Sequence, residues 1–120
     1  MEQSMTQFSK DWIKPDYTLK QVSGKSYNIM PCDDIVHVTG TKSNRVRLIL
    51  PITIPAINTW IIIKDAGFNA HKNIITIKTK KGFFIENNQK SISIRKDGGS
   101  IWLYAFENNW YVNTIFDLSK

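Results

Sequence analysis

Apolar and polar positions alternate with a period of two along most of the chain. In SISIRK (residues 91–96), Ile92 and Ile94 fall on one side and Ser91, Ser93 and Arg95 on the other, the pattern of a strand with one wet face. Similar short runs, rich in β-branched and aromatic residues, occur in DIVHVTG, RVRLILP, TWIIIKD, NIITIKT, GFFIE, SIWLYAF and NWYVNTIF. Gly, Asn and Pro punctuate the gaps between them, and no 3.6-residue period is found after the first 25 residues. The pattern predicts an all-β domain of about eight short strands.

Two runs are apolar on both faces. In SIWLYAF, Ile101, Leu103 and Ala105 point one way while Trp102, Tyr104 and Phe106 point the other; TWIIIKD behaves alike. Such strands need cover on both sides, and a single small domain has few second layers to offer. Association with identical copies supplies that cover, as an exposed aromatic stripe marks an interface. A loop or the N-terminal segment folded over the stripe is the other solution.

The first residues read differently. Residues 1–25 are polar with spaced anchors at Phe8, Trp12, Ile13 and Tyr17, and Pro15 interrupts any helix. They are expected to form an irregular arm, with residues 26–120 forming the all-β unit. Large apolar side chains in a free tail are unfavourable, so Trp12 and Ile13 are the expected docking anchor, against a fraying terminus as the plainer reading.

The segment IIIKDAGFNAHKNIITI (residues 61–77) places two isoleucine runs around a polar middle. Asp65 offers a hydrogen-bonding side chain, Gly67 admits positive φ, and Asn73 can bond the backbone where the next strand begins. The middle is turn chemistry. KDGG (96–99) reads as a hairpin turn, since no Gly-Lys-Ser/Thr follows to make a phosphate loop.

Composition narrows the function. The 120 residues suffice for one domain, and the apolar content excludes global disorder. The net charge of +6 comes almost wholly from lysine; Arg45, Arg47 and Arg95 are the three arginines. Nucleic-acid readers favour arginine, so the charge argues for a solvated surface and makes nucleic acid an unlikely partner. KTKKG (78–82) beside Phe83 and Phe84 is the one stretch that fits a basic platform for single-stranded nucleic acid, the alternative function carried forward. Cys32 is the sole cysteine, which excludes an intrachain disulfide. No apolar run approaches the roughly 20 residues of a membrane span, and the first residues lack a signal-peptide core, so neither membrane insertion nor processing is expected.

Candidate chemistry is sparse. His37, His71 and Cys32 do not form a ligand cluster, no metal or cofactor motif is found, and a Cys32–His37 pair lacks an orienting third group. Asp33 and Asp34 are adjacent and would diverge in a strand, so turn chemistry is the expected role. No enzyme is expected. Trp102, Tyr104, Trp110 and Tyr111, with Asn108 and Asn109 nearby, are the candidates for contact with a sugar ring or with another subunit.

The order of motifs resembles a domain found at the tips of phage tail fibres and in fibre or minor capsid proteins of large DNA viruses. The matching pieces are DDIVHVTG (33–40), LILP (48–51), IIKDAGFNAHKNIITI (62–77), GGSIWLY (98–104) and NNWYV (108–112), together covering roughly residues 26–113. The chain departs from the pattern at IENN (85–88), where the family has Ile-Asp-Gly, and at Asn108, where it has glycine. Trp60 stands where the family has a small or charged residue, and Ala70 lies one place later than the family's alanine. The resemblance implies a small β-sandwich, prism or β-helix-like unit that assembles as a homotrimer. It implies a non-enzymatic virion protein, a fibre or spike head or a minor capsid component, which can serve attachment to a host receptor or glycan. It also implies that Asp65, Gly67, Asn73, Gly98, Gly99 and Asn108 build the fold. With Met1 opening the chain and no long shaft, the arm is expected to dock on another virion protein through Trp12 and Ile13.

Overall fold

The computed structural model describes residues 17–39, 45–52 and 59–116. The anchors Phe8, Trp12 and Ile13 lie outside the described residues. The described chain is all-β, with ten strands in two sheets: β1 (Leu19–Val22), β2 (Ser26–Asn28), β3 (Ile35–Val38), β4 (Arg45–Ile49), β5 (Thr59–Asp65), β6 (Ile74–Lys78), β7 (Phe84–Ile85), β8 (Ser91–Ile94), β9 (Ser100–Phe106) and β10 (Asn109–Phe116). All eight strands expected from sequence are present. β1 and β2 are additional, and β1 falls inside the stretch read as an irregular arm. Its four residues carry too little pattern to announce a strand alone. Parallel pairing with β3, Leu19 opposite Ile35 and Val22 opposite Val38, supplies what the local sequence lacks.

The first six strands alternate between the sheets. β1, β3 and β5 run parallel in one, and β2, β4 and β6 run parallel in the other. The chain therefore winds through three successive two-sided coils, the β-helix-like arrangement. It then reverses. β8 pairs antiparallel with β6, β9 pairs antiparallel with β5, and β10 returns along β9 as a hairpin. The final orders are β1-β3-β5-β9-β10-β7 and β2-β4-β6-β8. KDGG is thus not a hairpin turn: it carries the chain from β8 in the smaller sheet to β9 in the larger one. Two neighbouring runs with alternating pattern look the same whether they pair with each other or with strands of an earlier coil.

Coiling stacks like positions on one another. Val46, Ile75 and Ile94 form one inward rank of the smaller sheet, and Leu48, Ile77 and Ile92 form the next. In the larger sheet Val36, Ile63 and Ile101 form a rank, as do Ala105, Trp110 and Ile85. These side chains make up most of the core, and nearly all are fully buried. Burial at about 25 cal/mol per Å² of apolar surface is the main stabilising contribution here. A one-residue slip in any strand would turn its rank outward, so the ranks also hold the register.

Candidate functional site

The parity that buries Ile61, Ile63, Ile101 and Leu103 sends their neighbours to the outer face of the six-stranded sheet. Two ranks result. Leu19, Ile35, Ile62 and Trp102 are consecutive partners across β1, β3, β5 and β9. Trp60, Tyr104 and Tyr111 are consecutive partners across β5, β9 and β10. Trp60 and Trp102 meet edge to face with centroids 6.2 Å apart, and the Tyr104 and Tyr111 rings lie 5.5 Å apart at 33°. Trp102 is 40% exposed, Tyr104 45% and Phe106 53%, so much of this band faces water. Beside it runs a polar rank of Gln21, His37, Lys64 and Ser100.

Trp110 does not belong to the band. Its side chain is fully buried between Ala105 and Ile85, so it cannot touch a sugar or another subunit. It is the second residue of β10 and stands on the inward parity, which composition could not reveal. Its Nε1 has no hydrogen-bond partner among the described residues.

At the β10 corner the band gives way to polar groups. The Tyr111 hydroxyl donates to Asn87 Oδ1 at 3.3 Å, and the Asn87 N–H donates to Asn109 Oδ1 at 2.9 Å. Asn108 Nδ2 donates to the Gly82 carbonyl at 3.3 Å, and the Val112 N–H donates to Glu86 at 2.7 Å. The IENN turn makes this possible with left-handed φ at Glu86 (52°) and Asn87 (73°). In the β9–β10 hairpin the left-handed residue is Glu107 (57°), not Asn108, which is free to use its side chain toward Gly82. Sequence reasoning missed Asn87, because only pairing of β7 with β10 brings its turn beside Tyr111.

The turn motif residues Asp65, Gly67, Asn73, Gly98 and Gly99, but not Asn108, gather around a single buried carboxyl group. Asp65 Oδ2 accepts the N–H groups of Asn69 and Ala70, both at 2.9 Å, and of Gly98 at 3.0 Å. The Asp65 N–H donates to the Gly99 carbonyl at 2.9 Å, and the Gly67 N–H to the Val38 carbonyl at 2.9 Å. The left-handed position in this loop is Phe68 (φ 55°), one residue beyond the glycine expected to hold it. The Asn73 N–H closes the loop onto the Asn69 carbonyl at 2.9 Å. Gly99 has no room for a side chain: a Cβ would sit 2.9 Å from Ile94 Cγ2 and 3.0 Å from the Lys96 carbonyl. The three donors to the Asp65 carboxyl are all backbone amides, so it ties segments of main chain together.

The carboxyl groups of Asp33, Asp34 and Asp97 are likewise held by hydrogen bonds. Asp33 Oδ2 accepts the Tyr27 hydroxyl at 2.5 Å and the Met30 N–H at 2.9 Å; Asp34 Oδ2 accepts the Thr18 N–H at 2.9 Å. Neither lies within a strand, and the two carboxyl groups serve different segments. Burial, and then the bond to Asp33, push the Tyr27 phenol up. His71 meets Asp97 twice, through its N–H at 3.0 Å and its Nδ1 at 2.8 Å, and these two bonds lower the Asp97 carboxyl. Cys32 is exposed, and its carbonyl accepts the Thr18 hydroxyl. His37 is half-buried in β3 opposite Lys64. Among the described residues no three metal-ligating side chains are grouped, and no helix is long and apolar enough to cross a membrane.

The basic stretch behind the nucleic-acid reading is split. Lys78, Lys80 and Lys81 are exposed at the end of β6 and in the following turn, while Phe83 and Phe84 are half-buried. The Lys90 ammonium already lies 5.8 Å from the centre of the Phe84 ring. No protein-family model matches the chain, and no curated protein matches it.

Proposed function

We propose that the protein is a non-enzymatic structural component of a virion, a fibre or spike head or a minor capsid protein, that assembles as a homotrimer through the outer face of its six-stranded sheet. The observation that carries this reading is the Leu19–Ile35–Ile62–Trp102 rank with Trp60 beside it. A row of aliphatic and indole side chains across four paired strands is a preformed apolar surface. Burying it against copies of itself removes apolar area from water without ordering new segments. A closed ring of three also limits the number of copies that can add. The viral assignment is supported by the ordered motifs shared with fibre-tip and minor capsid domains over roughly residues 26–113. Docking of the N-terminal arm on another virion protein belongs to the same proposal.

Absolute molar mass by light scattering behind a sizing column tests the assembly. A mass of three chains is expected, falling to one chain for a Trp102→Lys, Ile62→Lys double variant that keeps its β circular-dichroism spectrum. A clean monomer for the unaltered protein refutes the trimer. Immunogold labelling of purified particles tests the virion assignment.

The Asn87–Asn109–Tyr111 corner favours an attachment role beside the structural one. A sugar's apolar face packs on an aromatic ring while amides take its hydroxyls, and here a tilted tyrosine pair stands next to three asparagines. A glycan array probed with assembled protein tests this; Tyr111→Ala and Asn87→Ala should each remove the hits, and an array without hits refutes it.

A further inference from the structure

β8 is the last strand of the four-stranded sheet, whereas the larger sheet continues past β9 to β10 and β7. Among the described residues, no strand therefore faces the inner side of the end of β10. Ile115 pairs with the buried Ile101 yet is 60% exposed, and Phe116 beside it is 52% exposed. Between these residues and Ile94 lies a cleft of about 230 Å³, which Ser93, Arg95 and Lys96 also line.

The cleft opens on a usable strand edge. The Thr79 N–H donates to the Lys90 carbonyl at 3.0 Å, so residues 79 and 90 form a hydrogen-bonded antiparallel pair. Alternation along the ladder then makes Ile92 and Ile94 the residues bonded to β6. Ser91 and Ser93 aim their N–H and C=O groups away from the sheet, toward the cleft side. Such an edge is a template for an added strand, with main-chain bonds for affinity and a pocket for one alternate side chain. The volume suits one large side chain of a bound strand; it is below the roughly 300–1,000 Å³ of small-molecule pockets.

Charge selects the occupant. Lys90 stands at one end of the edge and Arg95 and Lys96 at the other. Antiparallel pairing of β8 with β8 of a second copy would set Lys90 of each against the Arg95 end of the other, which disfavours self-pairing. We infer that β8 accepts an extended segment of another protein, in which an apolar residue flanked by carboxylates seats its side chain between Ile94, Ile101 and Ile115. This rests on the cleft and the β8 edge and is independent of the trimer.

The test uses the full chain, amide NMR spectra and the peptide acetyl-Glu-Val-Glu-Leu-Glu-amide. Saturable shifts centred on Ser91, Ser93, Ile115 and Phe116 are expected, with none from the peptide carrying Lys in place of Glu. Arg95→Glu, an exposed change, should weaken binding roughly tenfold or more, because it sets like charges together. Ser93→Pro should abolish binding while leaving the β6 ladder intact, since proline is tolerated where the N–H faces an open edge. No saturable shift at millimolar peptide overturns the inference, as does equal binding of the lysine peptide or undiminished binding by folded Ser93→Pro. Shifts at these residues with single-stranded oligothymidylate and none with the peptide overturn it in favour of nucleic acid.

Discussion

The Asp65 side chain and the Gly98 N–H, 33 residues apart in the chain, are joined at 3.0 Å inside the protein. The same oxygen holds the Asn69 and Ala70 amides, so one buried carboxyl ties the loop after β5 to the crossover that leads into β9. The parallel coils and the antiparallel closing strands are fastened together at this point.

Asp65→Ala leaves three amide donors without their acceptor, and each orphaned buried donor costs about 1–3 kcal/mol. A loss of at least about 3 kcal/mol in chemical denaturation is expected, with a smaller loss for Asp65→Asn, which keeps an acceptor. An alanine variant within about 1 kcal/mol of the unaltered protein would remove this residue from its assigned role.

Gly99→Ala meets the Lys96 carbonyl at 3.0 Å, and a backbone atom held in a tight turn cannot step aside. The expected cost is about 1–3 kcal/mol, the range for overpacking. Gly24→Ala, where nothing lies within 4 Å, is the matched control and should be close to neutral in the same melts.

The lowered Asp97 carboxyl sets an acid dependence. Because its folded pKa lies below the unfolded value of 3.8, its contribution is complete above that value and is lost as pH falls through the folded one. The melting-temperature gap between the unaltered protein and Asp97→Asn should therefore close at the acid end. A gap that stays constant down to the most acid conditions would contradict this.

Tyr27 gives the opposite sign. Its folded pKa is raised above the unfolded value of 10.0, so the bond to Asp33 stabilises fully below that pH and is lost as pH rises through the higher folded value. Stability should fall in the alkaline range more steeply for the unaltered protein than for Tyr27→Phe. Parallel alkaline profiles for the two proteins would show that Tyr27 does not titrate with folding.

Trp110→Ala should cost about 3–5 kcal/mol, as removal of a large core side chain does. Trp110→Phe should cost much less, because it keeps the packing and deletes an N–H that has no partner among the described residues. Equal losses for the two variants would mean that the indole N–H is satisfied after all.

The all-β class, eight of the ten strands and the turn role of Asp65 were legible in the sequence, because each is a local property. A period of two fixes which residues share a face, and Asp before a Gly-containing turn declares its hydrogen bonds. The two-faced character of β5 and β9 was legible for the same reason, but not that Trp102 and Tyr104 stay exposed instead of lying under a loop or the N-terminal segment. Pairing was not legible. Ile35 lies between Leu19 and Ile62, and Ile62 beside Trp102, only because the chain coils between two sheets and then reverses. An alternating run carries the same pattern in a hairpin as in a coil, so β1, β2 and the sheet crossover at residues 96–99 became visible only when distant strands supplied their partners. The separation of buried Trp110 from exposed Trp102, the meeting of Asn87 with Tyr111, and the cleft at β8 follow from where each strand stands in its sheet. Those positions are set by the packing of the inward ranks over the whole molecule rather than by any single stretch of residues.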